Sequence, residues 1–529
     1  MSPSRGHTQH TQLGRPLPTL FIYTSIPIAL TLIAHPLLPL FVPQDILDKF
    51  PLPPQPTYPA LQANVGFALL AFIGAVLSVP KVGEAFIAKG LKGWDQLKKG
   101  SNRNTGPWIP ECLGLPCASL YLLLMMLFIP FPFSHIFQGT TQHGPGREAF
   151  PKGELTLYLT SLLSLMTATM LGFIDDMFDI RWRHKLPIPL IAAVPTLVVY
   201  YAEGGWTWVV LPASLGKLLS YLGFGGWEGT KSIDLGFLYY VYLALLPTFT
   251  TNSINIVAGV NGVEVTQAFI IALSVAFNDL LFLPVWPRWL LVLLGNIGNP
   301  DEGRVLSWAA GEVVKRHLMS LYFMVPLIGV TAGFLWHNWY PASAFPGDTF
   351  CYFTGMAFAA VAIQGHFSKT MILFFLPQIF NFILSCPQLF GLVECPRHRL
   401  PHFNASTGLL TPSRVVFDKP PPFKTKITLE ILEFFGLTEI ERVPVHEESG
   451  STKTSKNGDA KAHPTGSKKP TRIMAASNLT ILNYLLVVFG PMHEQTLCLA
   501  LGAVQVASSA LAFGIRYGVG SLVYGGDRR

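Results

Sequence analysis

Carboxylate and amide side chains stand at the ends of long apolar segments, where they can meet a ligand in water. Asp175 and Asp176 directly follow one apolar stretch. Asn255 lies near the end of a second, and Asp348 begins a third. Oxygen ligands of this kind suit Mg²⁺, which proteins usually hold through one or two carboxylates together with substrate phosphates. These residue types predict a magnesium site.

Cationic side chains occupy similar positions. Arg397 and Arg399 follow another apolar segment, and Lys185 follows the aspartate pair. A guanidinium binds phosphate oxygens through two parallel hydrogen bonds, and it stays charged. Gly259 and Gly262 permit the backbone to approach a ligand closely. Metal-binding oxygens, cationic side chains that bind phosphate and a backbone that can approach the ligand together predict a phosphoryl or pyrophosphoryl site.

The elements that must position these residues are membrane helices, since a span needs about 20 mostly apolar residues. We predict an all-α, polytopic membrane helix bundle of about ten transmembrane helices, plus an extra N-terminal hydrophobic segment that is either an anchor or signal-like. The predicted spans are 19–41, 62–80 running toward 88, 115–137, 154–174, 187–202, 235–257, 265–286, 317–336, 349–366 and 370–390, with one or two more in 477–515.

The predicted spans place all the polar clusters on one side of the membrane. Two crossings separate Glu111 from the aspartates, and two more separate each later cluster from the one before it. The loops 81–111, 175–186 and 391–475 carry six, three and thirteen Lys or Arg residues on that side. Because basic loops tend to stay in the cytosol, we expect the site to face the cytosol.

Each cluster also has a simpler interpretation. The aspartate pair could be a solvated helix end, Asn255 a helix cap and Asp348 an N-cap. The arginines could be a basic anchor at the membrane surface. Their common side favours a shared site over these separate roles.

Composition agrees with a membrane protein and argues against a nucleic-acid binder. Hydrophobic residues make up 50% of the 529 residues and charged residues 13%, against roughly 25% charged in soluble domains. The six cysteines show no metal-ligand or disulfide spacing. We divide the chain into an N-terminal hydrophobic segment with a Pro-rich connector (1–61), a membrane core (62–445), a disordered cytosolic insert (446–472) and a C-terminal span and tail (473–529).

At these residues the sequence resembles the polyprenyl-phosphate N-acetylhexosamine-1-phosphate transferases, most closely their eukaryotic branch. The resemblance runs from about residue 62 to the C-terminus. Its blocks are IPE (109–111), LGFIDDMFDIRWRHKLPIP (171–189), TNSINIVAGVNGVE (251–264), HNWYPASAFPGDTFCYFTGM (337–356), GHFSKT (365–370) and CPRHRLP (395–401).

The resemblance implies a ten-helix enzyme of the endoplasmic reticulum membrane. It would transfer GlcNAc-1-phosphate from UDP-GlcNAc to dolichyl phosphate with Mg²⁺, the first step of lipid-linked oligosaccharide synthesis for N-glycosylation. Its partners would be these substrates and the lipid bilayer, with no nucleic acid; a homodimer is compatible with it.

The resemblance also implies residue roles. Asn255 and Asp348 would hold the metal, and Asp175 and Asp176 would be the essential acidic pair. The substrate-binding residues would be Gly259, Asn261 and Phe345 for uridine, Lys185 and Arg397 for the pyrophosphate, His398 and Arg399 for the N-acetyl sugar, and Glu111 in the mouth of the site.

Two other classes of protein stay open at this point. An integral prenyltransferase also uses Asp-rich, Mg²⁺-binding motifs, and the DDxxD pattern of 175–179 fits one. A nucleotide-sugar or lipid transporter would place ionisable residues within its spans, where Asp279 is the acidic candidate.

Overall fold

The structure is a computed structural model that describes residues 15–47, 49, 53–95, 107–133, 151–178, 180–211, 220–221, 231–309, 311–396, 399–444 and 471–520. The chain divides into two compact units. The first comprises Met1–Gln96, Gly100–Ile379 and Cys498–Arg529, and the second comprises Leu97–Lys99 and Phe380–Leu497.

Helices dominate the described residues. In chain order they are α1 (Thr19–Ala34), α2 (Leu38–Phe41), α3 (Gln44–Leu47), α4 (Pro59–Ala88), α5 (Gly114–Phe128), α6 (Lys152–Phe178), α7 (Trp182–Lys185), α8 (Ile188–Ala202), α9 (Phe237–Ile256), α10 (Val263–Leu280), α11 (Arg288–Leu293), α12 (Gly311–Asn338), α13 (Gly347–Gln364), α14 (Ser368–Phe374), α15 (Leu376–Leu389), α16 (Phe423–Phe434), α17 (Ile481–Phe489) and α18 (Glu494–Phe513).

Six of these segments are long and apolar enough to cross a bilayer: Thr19–Leu37, Pro59–Ala88, Lys152–Phe178, Val263–Leu280, Gly311–Asn338 and Glu494–Val519. The single span predicted at 370–390 is instead a pair, α14 and α15, bent by 69° at Phe375. Two shorter apolar helices, α5 and α8, accompany them. The prediction of a mostly helical, polytopic membrane protein is confirmed.

Helix α13 lies at the centre of the first unit, and every residue from Thr349 to Gln364 is buried. Small residues let its neighbours come close. A Cβ on Gly172 of α6 would lie 2.8 Å from Thr349 Cα. A Cβ on Gly355 of α13 would lie 2.5 Å from Thr251 Cα of α9. Glycine is therefore required where α13 crosses α6 and α9, as is common between membrane helices.

Ionisable and polar groups within the bundle are bonded to one another. Asp279 of α10 is buried and lies 2.6 Å from His317 Nδ1 of α12. Gln378 Nε2 donates to Gln267 at 2.7 Å and to Gln505 at 2.8 Å. Such bonds offset the cost of placing polar groups in an apolar interior.

The strands are short and lie in the connections between helices. They are β1 (Lys92–Gly93), β2 (Ile109–Pro110), β3 (Trp208–Leu211), β4 (Lys231–Asp234), β5 (His402–Asn404), β6 (Leu409–Thr411), β7 (Arg414–Val416), β8 (Ile440–Pro444) and β9 (Thr471–Ser477). The pairs β1–β2, β3–β4 and β5–β6 are antiparallel. The strands β7, β9 and β8, in that order, form a fourth, three-stranded antiparallel sheet in the second unit.

The second unit has its own small core. Val415, Ile440 and Ile473 from its strands pack with Leu429 of α16 and Leu384 of α15. The all-α prediction missed these strands because runs of two to seven residues carry too little periodicity to be recognised. The predicted insert 446–472 lies outside the described residues except for Thr471 and Arg472, which begin β9.

Candidate functional site

The end of α6 supplies both predicted aspartates, and the structure gives them different surroundings. Asp175 is 1% exposed, and its Oδ2 lies 2.7 Å from Lys185 Nζ. Its Oδ1 accepts a hydrogen bond from the backbone N–H of Ile180 at 3.2 Å. Asp175 is therefore held by the segment that follows α6 and faces a cation there.

Asp176 binds the N-terminus of α13 instead. Its carboxylate accepts the backbone N–H groups of Asp348 at 2.6 Å and Thr349 at 3.0 Å, and the Thr349 hydroxyl donates to it as well. The first N–H groups of a helix have no partner within it, and a negative charge there is favourable. Gly347, at φ +69°, gives Asp176 the room to approach, since a Cβ there would lie 2.6 Å from its Oδ2.

Lys185 joins two carboxylates from separate helices. Its ammonium contacts Asp175 of α6 and Asp348 of α13. Burial alone lowers the pKa of Lys185, but the two carboxylates outweigh burial and raise the pKa above its usual value. Lys185 therefore keeps its positive charge at neutral pH.

Asn255 of α9 completes this group. Its Nδ2 donates to Asp348 Oδ1 at 2.8 Å, so the amide and the carboxylate are in direct contact. The structure thus brings together Asp175, Asp176, Lys185, Asn255 and Asp348, which the sequence spreads over more than 170 positions.

Glu111 and Phe345 lie beside this group, next to the short β1–β2 pair. Phe345 N–H donates to Pro110 O at 2.9 Å, and Glu111 N–H donates to Leu91 O at 3.2 Å. Gly93 leaves space for the Glu111 side chain, because a Cβ there would lie 1.9 Å from Glu111 Oε1. Burial, followed by the Asp176 carboxylate, raises the pKa of Glu111.

The loop between α9 and α10 holds the predicted uridine residues. Gly259, at φ +90°, is exposed, and its N–H donates to Glu264 Oε1 at 3.2 Å. Asn261 is buried, and its Nδ2 donates to Asp95 Oδ2 at 2.8 Å. The loop is therefore fixed by one hydrogen bond to Glu264 of α10 and another to Asp95 of the segment after β1.

The structure does not place the remaining predicted residues in this group. Arg397 and His398 lie outside the described residues, as does Asp179. Arg399 belongs to the second unit, where Asn483 Nδ2 donates to its carbonyl oxygen at 2.8 Å.

The structure adds residues that sequence reasoning missed. Thr349 binds Asp176, Gly347 makes room for it, and Asp95 holds Asn261. Thr349 and Gly347 flank Asp348 in the sequence, so their position was a usable signal. Asp95 lies in a basic loop 166 residues before Asn261, and nothing in the sequence indicated that the two residues meet.

The donor set fits a hard cation bound with few protein ligands. Asp348 and Asn255 present carboxylate and amide oxygens, and Asp175 lies beside them. Within the described ranges, no group of three or more His, Cys, Asp or Glu side chains surrounds a common point. Two protein ligands can suffice for Mg²⁺, because substrate phosphates and water supply its other ligands.

Apolar helices end at a site lined by carboxylate oxygens, an amide and the Lys185 ammonium. These features are those of an integral membrane enzyme that acts on phosphates. Residues 158–366 match the model of glycosyl transferase family 4. The chain is 40% identical over 481 residues to the UDP-N-acetylglucosamine--dolichyl-phosphate N-acetylglucosaminephosphotransferase of Schizosaccharomyces pombe, covering 88% of this chain and 94% of that protein.

Proteins of the same name from Saccharomyces cerevisiae and Dictyostelium discoideum are 38% and 35% identical. The matches cover 88% and 83% of this chain, and 94% and 85% of those proteins. The chain belongs to the family of UDP-N-acetylglucosamine--dolichyl-phosphate N-acetylglucosaminephosphotransferases. The resemblance inferred from the sequence is confirmed.

Proposed function

We propose that this protein transfers N-acetylglucosamine-1-phosphate from UDP-GlcNAc to dolichyl phosphate, releasing UMP. The observation that carries the proposal is the contact of Lys185 with Asp175 and Asp348 at the ends of apolar helices. A lipid-borne phosphate and a water-soluble nucleotide sugar can both reach such a position.

Asn255 and Asp348 are the residues that would hold Mg²⁺. The ion, when bound, would neutralise pyrophosphate charge and so stabilise the leaving UMP. The Lys185 ammonium has three N–H donors and uses two on Asp175 and Asp348, so the third would bind a phosphate oxygen.

In the reaction, an oxygen of dolichyl phosphate attacks the β-phosphorus of UDP-GlcNAc. The bond between that phosphorus and the bridging oxygen breaks, and the electron pair leaves with UMP. The acceptor phosphate is already mostly ionised at neutral pH and needs little activation. Lys185 neutralises charge on the transferred group, and Arg397 is proposed to act beside it.

The two aspartates have different proposed roles. Both oxygens of Asp176 are engaged by the N-terminus of α13, so Asp176 acts as a positioning residue that orients Asp348. Asp175 is 1% exposed and binds the Lys185 ammonium, so its proposed role is to hold that cation beside the substrate phosphates.

Other residues bind the donor substrate. Gly259, Asn261 and Phe345 line the uridine pocket, whereas His398 and Arg399 recognise the N-acetyl group. Glu111 borders the mouth of the site, where its raised pKa suits a carboxyl group close to phosphate.

The proposed setting is the endoplasmic reticulum membrane, with the site facing the cytosol. Ten crossings would be made by α4, α5, α6, α8, α9, α10, α12, α13, the bent pair α14–α15 and α18, with α1 as an additional N-terminal span. The basic loops around Lys185 support a cytosolic site.

The test uses the purified full chain in nanodiscs with dolichyl phosphate, radiolabelled UDP-GlcNAc and Mg²⁺. We expect chloroform-soluble label and UMP in equal amounts, and loss of both on chelation or in Asp348→Asn. Asp234→Asn, on the β3–β4 hairpin that precedes α9, is the matched control and keeps full activity, since Asn255 lies at the other end of that helix. Label trapped inside vesicles without UMP would indicate a transporter, and transfer from a prenyl diphosphate instead of UDP-GlcNAc would indicate a prenyltransferase.

A further inference from the structure

Helix α16 of the second unit carries a row of exposed apolar side chains. Phe423, Ile427, Ile431 and Phe434 recur at helical spacing, and Phe435 follows the helix. Phe434 is 84% exposed and Phe423 76%. Together these five residues, called the α16 stripe below, form an apolar face that none of the described residues covers.

The opposite face of α16 is already occupied. Leu429 is fully buried in the core of the second unit, and Leu432 packs against that core. The Thr425 hydroxyl donates to Leu392 O at 2.6 Å. The orientation of the helix is therefore fixed, and the stripe faces outward because of it.

The charges around the stripe are unequal. Glu430 pairs with Lys426 at 3.9 Å, and Glu433 pairs with Arg442 at 2.7 Å, so both acidic residues of α16 have cationic partners. Among the described residues, Lys419 and Lys424 are exposed and have no carboxylate partner. Asp418, beside Lys419, is exposed too, so these three residues leave a net charge of +1 near the start of the helix.

The start of α16 lies close to the end of α15. Helix α15 is the second half of the bent apolar pair α14–α15, and Leu392 follows it by three residues. The bond from Thr425 to Leu392 holds the start of α16 beside the end of this pair. Phe390 and Leu392 are exposed there as well. The stripe therefore begins beside the end of an apolar helix pair.

We propose that α16 lies along the bilayer surface, with its stripe inserted at the boundary between headgroups and acyl chains and with Lys419 and Lys424 against anionic headgroups. A helix with an apolar face and flanking lysines binds membranes in this way, sinking roughly 5–10 Å. Surface-bound α16 also keeps Arg399, in the same unit, near the membrane. That last consequence rests on the proposed function, whereas the surface contact does not.

The experiment measures spin-label accessibility in the full chain in phosphatidylcholine nanodiscs, with and without phosphatidylserine. Cys386 and Cys395, the cysteines of the described chain that are not buried, are replaced by Ser. Labels are placed on the stripe by Ile431→Cys and Phe434→Cys, and on the charged flank of the helix by Lys426→Cys and Glu433→Cys as matched controls. We expect stripe labels to collide with oxygen more than with an aqueous nickel chelate, and control labels to show the reverse.

Nickel access at 431 and 434 equal to that of the controls would place the stripe in water and overturn the proposal. Protection from both oxygen and nickel would mean that protein, such as a second copy, covers the stripe, and would overturn it equally. The combined Lys419→Gln and Lys424→Gln change should remove any deepening caused by phosphatidylserine. If Lys419 and Lys424 are both present and the stripe labels lie equally deep with and without phosphatidylserine, the proposed headgroup contact is overturned.

Discussion

Asp176, near the end of α6, accepts the backbone N–H groups of Asp348 at 2.6 Å and Thr349 at 3.0 Å. The carboxylate that caps α13 thus comes from a different helix, 172 residues earlier in the chain. The position of Asp348, and with it the contacts of Asp348 to Lys185 and Asn255, depends on this cap.

Asp176→Asn is expected to weaken the cap, because the amide has one acceptor oxygen where the carboxylate has two and carries no charge. The loss should be about 1–2 kcal/mol of unfolding free energy, together with most UMP release. Thermal unfolding in detergent and a UMP assay measure the two effects. Asp234→Asn removes a carboxylate that accepts from Thr207 and Gly236 in a hairpin; it should leave UMP release unchanged, and full activity in Asp176→Asn would contradict the positioning role.

Lys185→Met leaves Asp175 and Asp348 facing each other without a cation. Since the site is partly exposed, we expect a cost of about 2 kcal/mol, below the range for a fully buried pair. Added Mg²⁺ should raise the unfolding temperature of Lys185→Met more than that of the unchanged protein, because the carboxylates then lack their own counter-ion. An equal rise in both proteins would count against a cation site at Asp348.

Gly172→Ala tests the close crossing of α6 and α13. The new methyl group would meet Thr349 Cα at 2.8 Å and Tyr352 Cβ at 2.9 Å. Overpacking of this kind costs about 1–3 kcal/mol, and displacement of α6 should also reduce activity. Gly311→Ala, at a helical glycine with open space around its Cβ position, is the control and should not destabilise the protein. Similar unfolding temperatures for the two variants would show that the crossing tolerates a side chain.

Glu111→Gln tests the raised pKa of Glu111, whose main cause is burial. The unfolded chain releases this proton at a lower pH than the folded protein, so stability falls as pH rises from about 4.3 through the raised folded-state pKa. Glu111→Gln removes that fall. Without Mg²⁺, we expect it to unfold at a higher temperature than the unchanged protein at neutral pH, with the difference shrinking on acidification. If the difference in unfolding temperature between Glu111→Gln and the unchanged protein grows as the pH is lowered, the pKa of Glu111 is not raised by folding.

Asp95→Asn tests whether Asp95 orients Asn261 for the donor substrate. Exchanging the carboxylate for an amide weakens the 2.8 Å hydrogen bond from Asn261 Nδ2. If Asn261 binds uridine, KM for UDP-GlcNAc should rise several-fold while kcat changes little, as expected when binding alone is affected. A fall in kcat at unchanged KM would place Asp95 outside the uridine pocket and nearer the reacting phosphates.

Sequence alone was enough to recognise the membrane class and the family, and to predict the five residues that the structure brings together at the ends of α6, α7, α9 and the start of α13. Apolar runs of about 20 residues identify spans by themselves, because the bilayer leaves few other structures for such a segment. The crossing count then placed Asp175, Asn255 and Asp348 on one side without any knowledge of packing.

What only the tertiary structure decided is how neighbouring residues differ. Asp175 and Asp176 are adjacent and chemically identical, yet one faces Lys185 and the other caps α13. Successive residues on a helix point about 100° apart, so their partners depend on which helix packs on each side. The pairing of Asp95 with Asn261, the bend at Phe375 and the strands of the second unit were likewise hidden, because each depends on contacts between residues far apart in the chain or on segments too short to show a period.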